Sequence, residues 1–380
     1  MMADKKEMTA QTASVSADAG QPLTIKNTTI IPETSEKFNG EYDFPGTFPN
    51  ITDPHFLPAI SMGTLYETAY EGKPAVVDGI LYPGTYLFAG APKLGKSFLM
   101  LQLGYHVSTG QPLWGYSVRP GTVLYLALED DFPRLQSRLY RMFDAEVAKN
   151  FYLSTWAKQT GSGLEEQVEG FVATHTNTRL VIIDTLQRVR PADGNRYSYA
   201  SDYEIITSLS TLASKLGICL LIVHHTRKQQ DEDKFNMISG TNGLLGAADG
   251  AFLLEKNRRT DRHAALEITG RDQQEQRLYL EHDPETLLWK LDHAETQLWV
   301  KPPEPVLQMV ADFITLENPS WCGSPTDLAL VLGIDMKPNQ LSTKLNVNAQ
   351  RLLNDYNIRY QNSRSHAGRR ISLQLNSSKA

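Results

Sequence analysis

The chain has 380 residues, 41% of them hydrophobic and 21% charged, with a formal net charge of −6. That length suits about two domains, and the mild acidity excludes a chain that is basic throughout, so a nucleic-acid surface would have to be local. No apolar run is long enough to span a membrane, the first residues carry no signal-peptide core, and two cysteines exclude a disulfide framework or a zinc cluster. A cytoplasmic protein without membrane contact is expected, with Cys219 and Cys322 in packing roles.

Residues 1–38 are rich in Ala, Ser, Thr, Gln and Lys and read as a disordered N-terminal tail. Residues 39–75 carry prolines and scattered aromatics, as in Phe44-Pro-Gly-Thr-Phe-Pro, and read as an irregular arm. Such an arm could strap its own core or a neighbouring subunit. From 76 to 298 strand-like and helix-like segments alternate, which implies an α/β domain with a mostly parallel central sheet.

The first buried strand, Tyr86–Ala89, enters Gly90-Ala-Pro-Lys-Leu-Gly-Lys-Ser97, a complete G-x-x-x-x-G-K-S phosphate loop. Its glycines let successive backbone N–H groups curl around a triphosphate. Lys96 places an ammonium on the outer phosphates, and Ser97 offers a hydroxyl to Mg²⁺. A helix opens at Ser97-Phe98 and adds its dipole. The expected nucleotide contacts are therefore Gly90, Ala91, Pro92, Lys93, Leu94, Gly95, Lys96, Ser97 and Phe98. The next strand, Thr122–Leu128, delivers Glu129 to the same sheet edge, where it could activate the attacking water. Asp130 and Asp131 compete for that role, and Glu129 could instead cap the following helix. Leu180–Ile183 ends on Asp184, a metal-holding carboxylate in this context, and Thr185 follows where many ATPases place a glutamate.

A long loop, Gln187–Tyr203, contains Arg188, Arg190, Arg196, Tyr197 and Tyr199, a mixture suited to phosphates and base stacking. The strand Ile218–Val223 ends on His224 and His225; register decides which of them faces the nucleotide, and His225 lies at the outer end. A second long loop, Thr226–Asn242, offers Arg227, Lys228 and Lys234 but also Asp231, Glu232 and Asp233, which weaken its electrostatic case. Gly250–Glu255 and His263–Thr269 read as an antiparallel edge, and Arg277–Glu281 with Thr286–Leu291 as a hairpin around Asp283-Pro284. Arg271, in Thr-Gly-Arg-Asp after a strand, and Arg258 or Arg259 are candidate site cations, with an Arg271–Asp272 ion pair as the plainer alternative.

Prolines 302, 303 and 305 mark a linker at 299–305. Beyond it, Val306–Leu316, a capped helix from Ser324, Pro338–Tyr356 and a closing strand from Arg369 suit a small winged-helix-like domain at 306–380. Seven Lys or Arg and one acid, Asp355, lie between Lys337 and Arg370. Lys344, Arg351, Arg369 and Arg370 are the expected nucleic-acid contacts there, although winged helices also dock proteins.

The order of phosphate loop, strand-end Glu129, Asp184 without a following glutamate, and a histidine pair resembles the RecA-like P-loop ATPases. Within them the segments Ala-Leu-Glu-Asp, Ile-Asp-Thr-Leu and Val-His-His-Thr are similar to hexameric replicative helicases of the DnaB and plasmid RepA type, AAA-family ATPases of mobile elements. The resemblance covers about residues 76–285 and implies a RecA-like core, with ATP and Mg²⁺ as cofactors. It implies Glu129 as the catalytic carboxylate, His225 as sensor of the γ-phosphate, Arg271 as a cation acting in trans, and the two long loops as pore loops gripping single-stranded DNA. The expected function is an ATP-hydrolysing, hexameric helicase-like motor in replication of a plasmid, phage or mobile element. Its expected partners are single-stranded DNA, its own copies and a replication initiator or primase. Two alternatives stay open: a repair or recombination ATPase that forms filaments, and an ATP-switched DNA-binding regulator.

Overall fold

The computed structural model describes residues 55, 57, 59–70, 72–191, 199–226, 235, 243–258, 260–271, 273–295, 303–365 and 368–376. The expectations for the N-terminal tail, most of the arm, Arg196, Tyr197, Arg227, Lys228, Lys234, Arg259 and most of the linker lie outside these residues. In chain order the first part comprises α1 (Met62–Glu67), β1 (Gly84–Gly90), α2 (Lys96–Thr109), β2 (Thr122–Ala127), α3 (Phe132–Phe143), β3 (Phe151–Ser154), α4 (Leu164–Thr174) and β4 (Thr178–Asp184). There follow α5 (Leu186–Val189), α6 (Tyr199–Leu216), β5 (Cys219–His225), α7 (Gly243–Ala247), β6 (Gly250–Glu255), β7 (His263–Gly270), β8 (Gln273–His282) and β9 (Trp289–Ala294).

These strands form one nine-stranded sheet in the order β3-β2-β4-β5-β1-β6-β7-β8-β9. Every pairing from β3 across to β6 is parallel, and β7, β8 and β9 add on antiparallel. This is the α/β class expected. Unbroken apolar runs give the parallel strands because both faces are covered. Along β1, Tyr86 and Phe88 enter the cluster beneath α2 and α3, whereas Leu87 and Ala89 enter the cluster beneath α4 and α6. Gly250–Glu255 departs from expectation: β6 is an interior strand, parallel to β1 and buried, and only β7 turns antiparallel. An apolar run reports burial and not direction.

The hairpin of β8 and β9 is fastened to the helix that leaves the phosphate loop. Gln102 of α2 uses its whole amide on the Trp289 backbone, donating to the carbonyl at 2.9 Å and accepting from the N–H at 2.8 Å. Trp289 is fully buried and donates its indole N–H to the Gly95 carbonyl at 3.2 Å.

The C-terminal region builds α8 (Pro305–Phe313), β10 (Ser320–Gly323), α9 (Pro325–Leu332), α10 (Pro338–Val347), α11 (Ala349–Tyr356), β11 (Ile358–Ser365) and β12 (Gly368–Leu375) around its own apolar cluster. Its three strands pair antiparallel in the order β10-β12-β11. Ser324 and Asp327 form the capping box that starts α9. The single helix expected over Pro338–Tyr356 is two, broken at Asn348, whose backbone leaves helical geometry at φ −106° and ψ 15°. Cys219 packs in the core as expected, but Cys322 is exposed and its Sγ accepts from Arg370 Nε at 2.9 Å. Within the arm, α1 was not expected, and it lies against α10.

Replacing Trp289 by Ala removes a fully buried ring and its bond to the phosphate loop. We expect a loss of about 3–5 kcal/mol in the nine-stranded α/β domain, read as a lower urea midpoint by far-ultraviolet circular dichroism.

Candidate nucleotide site

Parallel register brings the expected chemistry to one sheet edge. Gly90 pairs with His225, Asp184 with Val223, and Ala127 with Asp184, so β1, β2, β4 and β5 all discharge their last residues together. Between β1 and α2 the phosphate loop is folded tightly. A Cβ on Gly90 would lie 2.7 Å from the Leu254 carbonyl of β6. Gly95 has φ +100° and faces Trp289, so both positions need glycine.

Lys96 is buried, and its ammonium has a full set of acceptors. It donates to the carbonyls of Gly90 at 2.7 Å and Ala91 at 3.0 Å and lies 3.1 Å from His225 Nδ1. An ammonium has no acceptor of its own, so His225 receives at Nδ1 and carries its proton on Nε2. Burial drives the Lys96 pKa down to about 8, against the pull of Asp184 and Glu129. The neighbouring His224 points elsewhere: burial and the Arg190 charge lower it to about 4, so it is neutral at physiological pH. Register therefore sets His225, and not His224, against Lys96.

Asp184 Oδ2 accepts from Ser97 Oγ at 2.8 Å and from the Tyr125 hydroxyl at 2.7 Å. Burial raises the Asp184 pKa even though both bonds and the Lys96 charge lower it. A buried carboxylate short of positive charge beside a hydroxyl is a hard oxygen donor pair, which suits Mg²⁺. Among the described residues no cluster of three or more His, Cys, Asp or Glu could hold a metal alone, so phosphate and water would have to complete the coordination. Tyr125 was not foreseen as a site residue. It lies two residues before Ala127 on β2, and its only signal in the sequence is a hydroxyl inside an apolar strand.

Glu129 follows β2 and accepts from Thr185 Oγ1 at 3.0 Å, with Arg188 Nε at 4.0 Å. Its competitors are occupied. Asp131 is the N-cap of α3, accepting from Arg134 N at 2.8 Å, and Asp130 pairs with Arg134 and Arg138. The reading of Glu129 as the helix cap is thus overturned, because Asp131 fills that position.

Residues 66–231 match the AAA domain family, a span that takes in the phosphate loop, Glu129, Asp184 and both histidines. The chain carries a P-loop ATPase domain. Among solved structures it is similar to the ATPase domain of G40P, with TM-score 0.46, 17% identity, and 55% of this chain and 84% of that one covered. It is also similar to a DnaB-like replicative helicase studied with primase, with TM-score 0.46, 16% identity, and 55% and 57% covered. A KaiC-like protein of Pyrococcus horikoshii gives TM-score 0.43, 13% identity, and 59% and 100% covered. No curated protein matches the chain.

Several basic residues expected on nucleic acid are engaged within the chain itself. Arg190 is 5% exposed and pairs with Asp202, 3% exposed, at 2.6 Å, so it closes the base of the first long loop and is not a surface contact. A buried pair of this kind forms where α5 ends and α6 begins, and breaking one partner strands the other. Arg188 reaches towards Glu129. Lys344 pairs with Glu304 at 2.7 Å, Arg351 with Asp355 at 3.5 Å, and Arg369 with Glu67 at 2.9 Å. Arg271 stands at the opposite end of the strands from the phosphate loop. Gly270 pairs with Gly250, which pairs with Tyr86, so it lies about 13 Å below the level of Gly90. There it bonds the Gly246 carbonyl at 3.0 Å and pairs with Asp249 at 3.7 Å, while Asp272 lies outside the described residues.

The low Lys96 pKa has a measurable consequence. Above about pH 8 the amine of the free protein is largely neutral, whereas a bound triphosphate favours the charged form. Nucleotide binding near that pH should take up a proton, and affinity should fall as pH rises further. Calorimetry in buffers of different ionisation heat checks this; binding without proton uptake would contradict it.

Proposed function

We propose that this P-loop ATPase is a hexameric, helicase-like motor on single-stranded DNA, serving replication of a plasmid, phage or other mobile element, and that an initiator or primase is among its partners. The observation that carries the reading is the convergence of Lys96, Ser97, Asp184, Glu129 and His225 on one edge of a parallel sheet. Lys96 would exchange its loop carbonyls for phosphate oxygens when nucleotide enters. Ser97 and Asp184 would hold Mg²⁺, which supplies charge neutralisation on the phosphates. Glu129 would orient and deprotonate the attacking water, and His225, already against Lys96, would sense the outer phosphate. Arg271 sits too far from its own phosphate loop to act there, which favours action on the site of a second copy.

Helix, strand, helices and a terminal hairpin in that order support a winged-helix reading of the C-terminal region. Its basic residues give it a nucleic-acid-contacting role, with Arg370 as already expected and Arg359 as a further candidate. The same topology supports the second reading, an ATP-switched DNA-binding regulator, in which hydrolysis would not respond to single-stranded DNA.

Steady-state hydrolysis with and without single-stranded DNA, beside Glu129→Gln, tests the proposal. Strong stimulation is expected, with turnover in the variant down by roughly 10²–10⁴-fold and ATP affinity retained. Stimulation absent in the wild type would move the reading to the regulator, and undiminished turnover in the variant would remove Glu129 from the mechanism. Lys96→Ala should abolish nucleotide binding in a direct titration; unaltered affinity would exclude the role given to its ammonium. Electron microscopy separates rings from the filaments of a recombination ATPase.

A further inference from the structure

Polar contacts tie the helix α1 to the C-terminal region, and Ala69 just beyond it packs against that region's apolar cluster. None of its six residues is buried, and Met62, Leu65 and Tyr66 are exposed. Asn346 of α10 donates its amide to the Tyr66 carbonyl at 2.8 Å, and Asn362 of β11 donates to the Glu67 carbonyl at 3.4 Å. Arg369 of β12 pairs with the Glu67 carboxylate at 2.9 Å, their side chains 16% and 49% exposed. Three elements of the C-terminal region thus present donors to three oxygens of one short helical segment.

Beneath the strap those donors are organised. Asn346 is 2% exposed, and its Oδ1 accepts from the Tyr360 hydroxyl at 2.7 Å and from Asn362 at 3.0 Å, which orients both amides outward to α1. Two amides and a guanidinium aimed at three oxygens form a donor set that also suits the oxygens of a phosphodiester backbone. The surrounding sequence, seven basic residues to one acidic between Lys337 and Arg370, gives the field such a backbone would meet.

We infer that the face of α10, β11 and β12 is a DNA-backbone site, and that α1 occupies it as a competing strap, with the Glu67 carboxylate standing where a phosphate would bind. This rests on the nucleic-acid-contacting reading of the C-terminal region. Duplex DNA displaces the strap, because a helix with no fully buried residue costs little to release, and an ion pair with a half-exposed glutamate is a weak fastening. Release frees Asn346, Asn362 and Arg369 together. The device keeps the C-terminal region off DNA until a continuous backbone, offering several phosphates at once, outcompetes one carboxylate.

The experiment uses the full chain with a fluorescent 20-base-pair duplex as probe (roughly two helical turns), at fixed salt because phosphate contacts are salt-dependent. Glu67→Arg should bind the duplex about fivefold tighter or more than wild type, with DNA-free ATP hydrolysis unchanged. Adding Arg369→Glu should cancel the gain. In the wild-type chain, hydrogen exchange of residues 62–70 should quicken when the duplex is added. Equal or weaker binding by Glu67→Arg, or exchange that is unchanged or slower, overturns the strap; if Arg370→Ala weakens binding in that same assay, the nucleic-acid reading survives it. Should neither protein bind the duplex while single-stranded DNA still stimulates hydrolysis, the C-terminal reading itself falls, and the strap with it.

Discussion

In-register parallel pairing of β1 with β5, β5 with β4 and β4 with β2 is the constraint on which the rest of the site depends. Each strand is interior and largely apolar, so apart from the Tyr125 hydroxyl inside β2 the polar chemistry of the site gathers where the strands end. The residues that end them are Gly90, His225, Asp184 and, just past β2, Glu129. A slip of one residue in any pairing would turn these side chains to the other face. The site is therefore fixed by the sheet.

That rigidity sets charges where water is scarce. Lys96 and Asp184 are both buried, and burial shifts each towards its neutral form, the amine down and the carboxylate up. Hydrogen bonds offset part of the cost: two carbonyls and an imidazole for Lys96, two hydroxyls for Asp184. The opposed shifts leave the two groups under-compensated in both signs. A triphosphate would relieve one and a divalent cation the other. Gln102 and Trp289 keep the phosphate loop from relaxing to satisfy these groups in some other way, because the hairpin they anchor closes over Gly95.

What could be read from the residues divides along physical lines. The phosphate loop and the strands at 86, 122, 180 and 218 were legible because each is a local pattern with a local cause, glycines for a tight loop and unbroken apolar runs for covered strands. The cap of α9 at Ser324 and Asp327 was legible for the same reason. The strand β3 was not, since three half-buried residues and one exposed residue at a sheet edge have no period to read. The direction of β6 was not, since burial is blind to chain direction. Tyr125 and Trp289 act on partners 59 and 194 residues away, and nothing near them in sequence announces either contact.

Charge was the least legible property of all, because a side chain's formal charge says nothing about its partner. Arg190 and Arg188 stand two apart in one basic segment, yet one is sealed against Asp202 and the other lies on the surface by Glu129. The seven basic residues between Lys337 and Arg370 read as an open patch, yet Lys344, Arg351 and Arg369 have each found a carboxylate within the chain. Two of those carboxylates, Glu304 and Glu67, lie outside the basic stretch, on segments that fold back onto it. A count over a window cannot see such returns. The functional question for a basic surface is thus how weakly its present partners are held, and on that measure a half-exposed glutamate on a helix with no fully buried residue differs from an aspartate sealed beside an interior arginine.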